Sequence, residues 1–137
     1  MEISISFSDV NWLSVIVATL VSFGVGSLWY TPATFGTIWM KEVGLDREKA
    51  GKANMPLIFG TTFVLQFIAS LGLELFLGKD ATLLSGIASG AIVSLVWIGT
   101  SFGTTYLFTQ KSLKLYLIDV GYYLTLYLIM GAILGAW

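Results

Sequence analysis

The sequence predicts an all-α membrane protein, with four transmembrane helices and a short amphipathic interfacial helix between the first and the second. Three observations carry this reading. Four runs, 10–30, 56–78, 81–108 and 113–137, each reach the length of about 20 apolar residues that a helix needs to cross a bilayer. Each run is nearly free of charge and lacks the polar outer face of a water-soluble bundle. The 137 residues are 56% hydrophobic and 11% charged, against roughly 25% charged in soluble domains, and mean hydropathy is +0.86. In lipid, backbone N–H and C=O groups must be satisfied within the segment, so these runs are read as helices of one transmembrane domain spanning 1–137.

The same composition excludes several functions. Cysteine and histidine are both absent, which removes disulfides, thiolate chemistry and imidazole ligands, and no metal-ligand cluster or phosphate loop is visible. Ser and Thr are numerous, but without His their activation needs Lys, and every Lys lies in or beside a loop. No enzyme and no cofactor are expected. Net charge is -1, and the seven basic residues form no stripe suited to phosphates, so nucleic acid is not an expected partner. The start MEISISFSDVNW places Glu2 and Asp9 where a secretory signal carries positive charge, and no small-residue cleavage site follows. The first run is expected to remain as a membrane helix.

Run one opens at Asp9 or Asn11, either of which can cap a helix by accepting a backbone N–H bond. At about 100° per residue, Asn11, Ser14, Ala18, Ser22, Gly26 and Trp29 fall on one small, mildly polar side. Such a side suits close helix contact, or the lining of a solute path. The run ends in WYTPATFGTIWMK, where Trp29, Tyr30, Phe35 and Trp39 are read as interfacial anchors. Thr31 is the expected N-cap of the interfacial segment 32–52, with Pro32 in its first position and Lys41 and Glu42 toward water. Gly44 is expected to end this helix, and Asp46 to cap a further turn through Arg47, Glu48 and Lys49.

Run two begins at Asn54-Met55-Pro56, where proline in the first helical turn loses no hydrogen bond. Thr62, Gln66, Ser70 and Glu74 follow at intervals of four and must look inward. Gly78-Lys79-Asp80 is expected to form a tight antiparallel connection to run three. There Gly86, Gly90, Ser94 and Ser101 mark one small side, and Gly99 and Gly103 lie on nearly the opposite one. Two small faces place run three in the middle of the bundle, or between the bundle and a second copy. In run four Gly121, Gly131 and Gly135 share a side with Leu117, Leu124 and Leu128, while Asp119, Tyr122, Tyr123, Leu126 and Met130 share the other. Trp137 suits an interfacial anchor.

Basic residues set the expected orientation. The connections after runs one and three carry Lys41, Arg47, Lys49, Lys52, Lys111 and Lys114, whereas the opposite side has only Lys79. Both termini are therefore expected to face away from the cytoplasm.

Glu74 and Asp119 are the two carboxylates within the runs, and intramembrane acids are functional candidates by default. They lie near opposite ends of the membrane span and are not expected to pair. Glu74 either pairs with Lys79 or the headgroups, or stands at the mouth of a polar path. Asp119 is either a structural acid satisfied by Tyr122, Tyr123 or Lys111, or a group that takes up protons or cations. Gln66, the most central polar residue, either makes an interhelical hydrogen bond worth about 1 kcal/mol or helps to hold a solute.

The Asn-Trp start, GSLWYTPATFGTIWM, KLYLIDVGYYL and the closing MGAILGAW together resemble the uncharacterised bacterial membrane proteins grouped as domain of unknown function 1761. The resemblance covers nearly the whole chain, and WY-x-P-x-x-FG-x-x-W is its most specific part. It implies a small four-helix protein of the bacterial inner membrane and supplies no activity. In the family so resembled, Asn is common at position 119 and His frequent at position 123, where this chain has Asp119 and Tyr123.

Two functions follow as expectations. One is a homo-oligomeric transport or permeation protein for an ion or small solute, with a path built from Asn11, Gln66, Glu74, Asp119, Tyr122 and Tyr123. The other is a non-catalytic module that binds lipid or a membrane-protein partner through its glycine faces. A continuous wet cavity favours the first; sealed hydrogen bonds at Gln66 and Asp119 favour the second.

Overall fold

A computed structural model describes residues 6–137. Glu2, part of the acidic start noted above, lies outside the described residues. After a short 3-10 turn at Phe7–Asp9 come α1 (Trp12–Trp29), α2 (Gly36–Val43), α3 (Arg47–Gly51) and α4 (Met55–Leu77). A third long helix then runs as α5 (Leu83–Ile92), a π-helical stretch (Val93–Ile98) and α6 (Gly99–Phe108), and α7 (Leu113–Ala136) completes the bundle. The four long helices have 18, 23, 26 and 24 residues, with mean hydropathy of 1.7 to 1.8, long and apolar enough to cross a membrane.

The caps follow local chemistry. Asn11, rather than Asp9, accepts the Ser14 N–H at 3.2 Å to open α1. Asn54 accepts from Leu57 at the head of α4, and Asp46 from Lys49 at the head of α3. Gly44 closes α2 in the left-handed region, at φ 73°. Thr31 and Pro32 depart from expectation: α2 starts only at Gly36, and residues 31–35 form a turn. There the Thr34 hydroxyl donates to the Leu28 carbonyl, and the N–H groups of Phe35 and Gly36 donate to Trp29 and Thr31. These bonds satisfy the carbonyls that α1 leaves open at its end, so they outcompete a cap at Thr31. Gly36 is required, because a Cβ there would fall on the Tyr30 carbonyl.

The hub of the bundle is α7, not the third long helix. In α7, 44% of the spanning window is buried inside the molecule, against 22% in the third helix and 11% in α4. One side of α7 packs on α1, through Tyr122, Leu126, Met130 and Leu134 against Val15, Ala18 and Trp29. Its other side meets α5 in direct backbone contact: a Cβ at Gly86 would fall on the Gly131 carbonyl, one at Gly90 on the Tyr127 carbonyl, and one at Gly135 on the Thr82 carbonyl. Gly121 departs from this side and lies under Trp29, whose Cζ2 would be 3.4 Å from its Cβ.

The two small faces expected of the third helix are one face. A π turn closes i to i+5 hydrogen bonds, so about five residues fit where a regular turn takes fewer, and Gly99 comes round to the side of Ser94. A Cβ at Gly99 would stand 3.3 Å from the Ser94 carbonyl oxygen and 3.5 Å from Tyr116 Oη of α7. Tyr116 donates to the Gly99 carbonyl at 2.9 Å. Gly86, Gly90, Ser94, Gly99 and Gly103 therefore all address α7, and Ser101 is exposed.

Candidate functional site

The antiparallel threading brings the end of α1, the end of α6 and the first turns of α7 to one end of the bundle. Asp119 sits there, 7% exposed. Tyr30 Oη donates to its Oδ1 at 2.8 Å, and Tyr106 Oη donates to its Oδ2 at 2.5 Å. The expected partners Tyr122, Tyr123 and Lys111 are not the ones that satisfy it, because the side chains from the ends of α1 and α6 converge on Asp119 across the helix interfaces. Among the described residues the ion pair is the exposed Lys52–Glu48, so no Lys or Arg neutralises Asp119.

The two phenols belong to a chain of packed aromatic rings. Tyr30 meets Tyr122 at 5.3 Å between centroids, Tyr122 meets Tyr123 at 4.9 Å, Tyr123 meets Phe102 at 5.3 Å, and Phe102 meets Tyr106 at 5.4 Å. Trp39 packs edge-on to Tyr30 at 5.4 Å. Trp29 stacks on Phe35 at 4.8 Å, and its Nε1 donates to the Ile118 carbonyl at 3.1 Å. The four residues read as interfacial anchors thus pack onto the bundle, because the Thr34–Gly36 turn folds α2 back against α7. Glu42 on α2 completes this closure by accepting from Ser112, the N-cap of α7.

Gln66 and Glu74 look inward from α4 as their spacing predicts, but into separate places. Gln66 Nε2 donates to Tyr122 Oη at 2.7 Å, while its Oε1 is buried without a partner, as is Ser22 Oγ on α1. Ser70 between them donates to the Val15 carbonyl. Glu74 accepts the Asn11 backbone N–H at 3.3 Å instead of pairing with Lys79, because the α1 cap faces it across the helix interface. The polar residues therefore form three groups: Asn11 with Glu74, Gln66 with Tyr122, and Asp119 with Tyr30 and Tyr106. Sequence reasoning missed Tyr106 and gave Tyr30 an anchoring role. The available signal was that both end a span on the side where α7 begins.

The Gln66 bond has a modest expected weight. Gln66→Leu is expected to change unfolding stability by no more than about 1 kcal/mol, since the lost bond is offset by removal of a buried, unpaired oxygen. Chemical denaturation in detergent checks this, and a loss of several times that size would show that Oε1 is satisfied by a structural water.

Four helices long and apolar enough to cross a membrane define the class: a small multi-pass membrane protein. Residues 13–135 match the family described as protein of unknown function (DUF1761), and the chain belongs to that family. No curated protein and no solved structure matches the chain.

Proposed function

We propose that this chain is a homo-oligomeric transport protein that carries a proton or small cation by way of Asp119. One observation supports this most directly: a carboxylate buried in a membrane-length bundle accepts from two neutral phenols and has no basic partner among the described residues. An acid so placed has only phenol hydroxyls to stabilise a charge on it. Keeping such a charge away from water costs several kcal/mol, and uptake of a cation recovers part of that cost. A structural polar contact needs no charge, so the acid itself calls for a role. Association of copies would give the thin bundle more depth, and the outward face of α4, with Leu57, Leu65 and Ile68 exposed, offers surface for it. In this reading the Asp119 end faces the cytoplasm, which the excess of basic residues on that side supports.

The test is flux into proteoliposomes of purified protein under a proton or sodium gradient. Asp119→Asn is expected to lower the rate at least tenfold, because it removes the charge while keeping an acceptor for a phenol. Equal rates in wild type and Asp119→Asn would overturn this reading. A second reading, a non-catalytic module that binds lipid or a membrane-protein partner, is favoured by the separation of the polar residues into three unconnected hydrogen-bonded groups. Tight vesicles across protons, alkali cations and small organic cations would select it.

A further inference from the structure

The third helix and α4 are each fastened to a neighbour, but not to each other. Within the third helix, α5 meets α7 backbone to backbone at Gly86 and Gly90. α4 is held by α1, through the Ser70 hydroxyl on the Val15 carbonyl and the rings of Phe59 and Phe63 edge-on to Phe23, and by α7 through Gln66 on Tyr122. Among the described residues no hydrogen bond joins α4 to the third helix. What remains between them is a groove of about 240 Å³. Gly72, Leu73 and Phe76 of α4 form one wall, Val93 and Trp97 of the π stretch form the other, and Tyr127 of α7 also lines it. Leu73 is 4% exposed, whereas Phe76 and Trp97 are more than half exposed. No charged residue lines the groove.

We propose that this groove binds one acyl chain of a membrane phospholipid, held as a fixed part of the bundle. Its place in the fold names the occupant. Every lining residue belongs to a helix of membrane length and lies inside the span, so hydrocarbon is the solvent at its mouth. The lining side chains carry two polar groups, the Tyr127 hydroxyl and the Trp97 indole N–H, too few to hold a groove full of water when each molecule needs about two to four partners. An unfilled groove would forfeit dispersion contacts along its whole lining. At about 30 Å³ for each small group, its volume takes a run of about eight methylenes. A helix of a second copy, about 10 Å across, is too thick to enter. Gly72 keeps the α4 wall open, since a Cβ there would meet nothing within 4 Å. The groove shares no residue with the Asp119 site, so the proposal stands apart from the transport reading.

The experiment counts phospholipids bound to the purified full chain by native mass spectrometry, and maps them in nanodiscs with a phospholipid that carries a photoreactive diazirine in one acyl chain. One phospholipid per chain is expected to survive purification. The label is expected on Leu73 and Tyr127, although both are less exposed than Leu84 or Leu107. Gly72→Phe fills the groove with a ring and is expected to lower bound lipid and groove labelling at least tenfold, with helicity and thermal stability retained because the ring takes the place of the chain. Gly60→Phe, elsewhere on α4 where a Cβ also meets nothing, is expected to keep the lipid. Labelling that follows exposure, strongest on Leu84 and Leu107 and absent from Leu73, would overturn the proposal as ordinary contact with bulk lipid. Unchanged lipid counts in Gly72→Phe would overturn it as well. The chain has no cysteine of its own, so Gly72→Cys tests the rival occupant. Efficient disulfide joining of two copies, with no label in the groove, would overturn the proposal in favour of a second copy.

Discussion

Gly131→Ala is expected to destabilise the bundle by about 3 kcal/mol, although it adds a single methyl group to a helix that alanine otherwise favours. The new Cβ would fall on the Gly86 carbonyl, and a Cβ at Gly86 would fall on that of Gly131. Neither obstacle is a side chain that can rotate away. Relief requires α5 and α7 to separate, which also lifts Gly90 from the Tyr127 carbonyl and Gly135 from Thr82. In a membrane no hydrophobic force pulls the helices back together, so packing lost there is not recovered elsewhere. Gly60→Ala supplies the control, since nothing stands within 4 Å of its Cβ, and it is expected to be neutral or to stabilise by about 0.5–1 kcal/mol through helix propensity. Thermal unfolding of purified protein in detergent reads both. Wild-type stability for Gly131→Ala would mean that α5 and α7 do not meet backbone to backbone.

Trp29→Ala is expected to cost about 3–5 kcal/mol, the range for removing a large aromatic from a packed site. Its indole does three things at once: it donates to the Ile118 carbonyl, stacks on Phe35, and covers Gly121 of α7. It also lies 6.4 Å from the Tyr122 ring, so its loss loosens the wall behind the Asp119 site. Trp29→Phe separates these contributions, because it keeps ring packing and removes the donor, at about 1 kcal/mol. Should Trp29→Ala unfold like the wild type, the indole would be a lipid-facing anchor with no part in holding α1 to α7.

Much of the architecture is legible in the sequence because lipid imposes so few solutions. Four runs of sufficient length and almost no charge, the Asn54-Pro56 start, Gly44 and the Asp46 cap all follow from backbone requirements that act within a few residues. The inward stripe of α4 is equally plain, and Ser70, Gln66 and Glu74 all find partners on other helices. What the sequence conceals is phase and partnership. The π turn carries no composition of its own: VSLVWI reads as ordinary apolar helix, so Gly99 and Gly103 were assigned by regular periodicity to the wrong side. The hub position of α7 was hidden for a related reason, since glycine pairs show that a helix meets something closely and not what it meets. For Asp119, the natural candidates are near in sequence, Tyr122 and Tyr123 on its own helix and Lys111 just before it. The partners came from 89 and 13 residues away, which only the threading of the bundle reveals.

The π turn also turns the third helix into two segments with independent clocks. Inserting one residue just after Ile98 would leave a helix still long enough and apolar enough to insert, with composition almost unchanged. The wide turn already takes up one extra residue and cannot absorb a second, so everything after it would rotate by about 100°. Gly99 and Gly103 would leave Tyr116, and Tyr106 would point away from Asp119. Insertion machinery, which reads hydrophobicity, would accept such a chain; the bundle, which reads angular position, would not. In this protein the information that places Tyr106 against Asp119 is therefore stored as a residue count, in a stretch of which only Ser94 is fully buried.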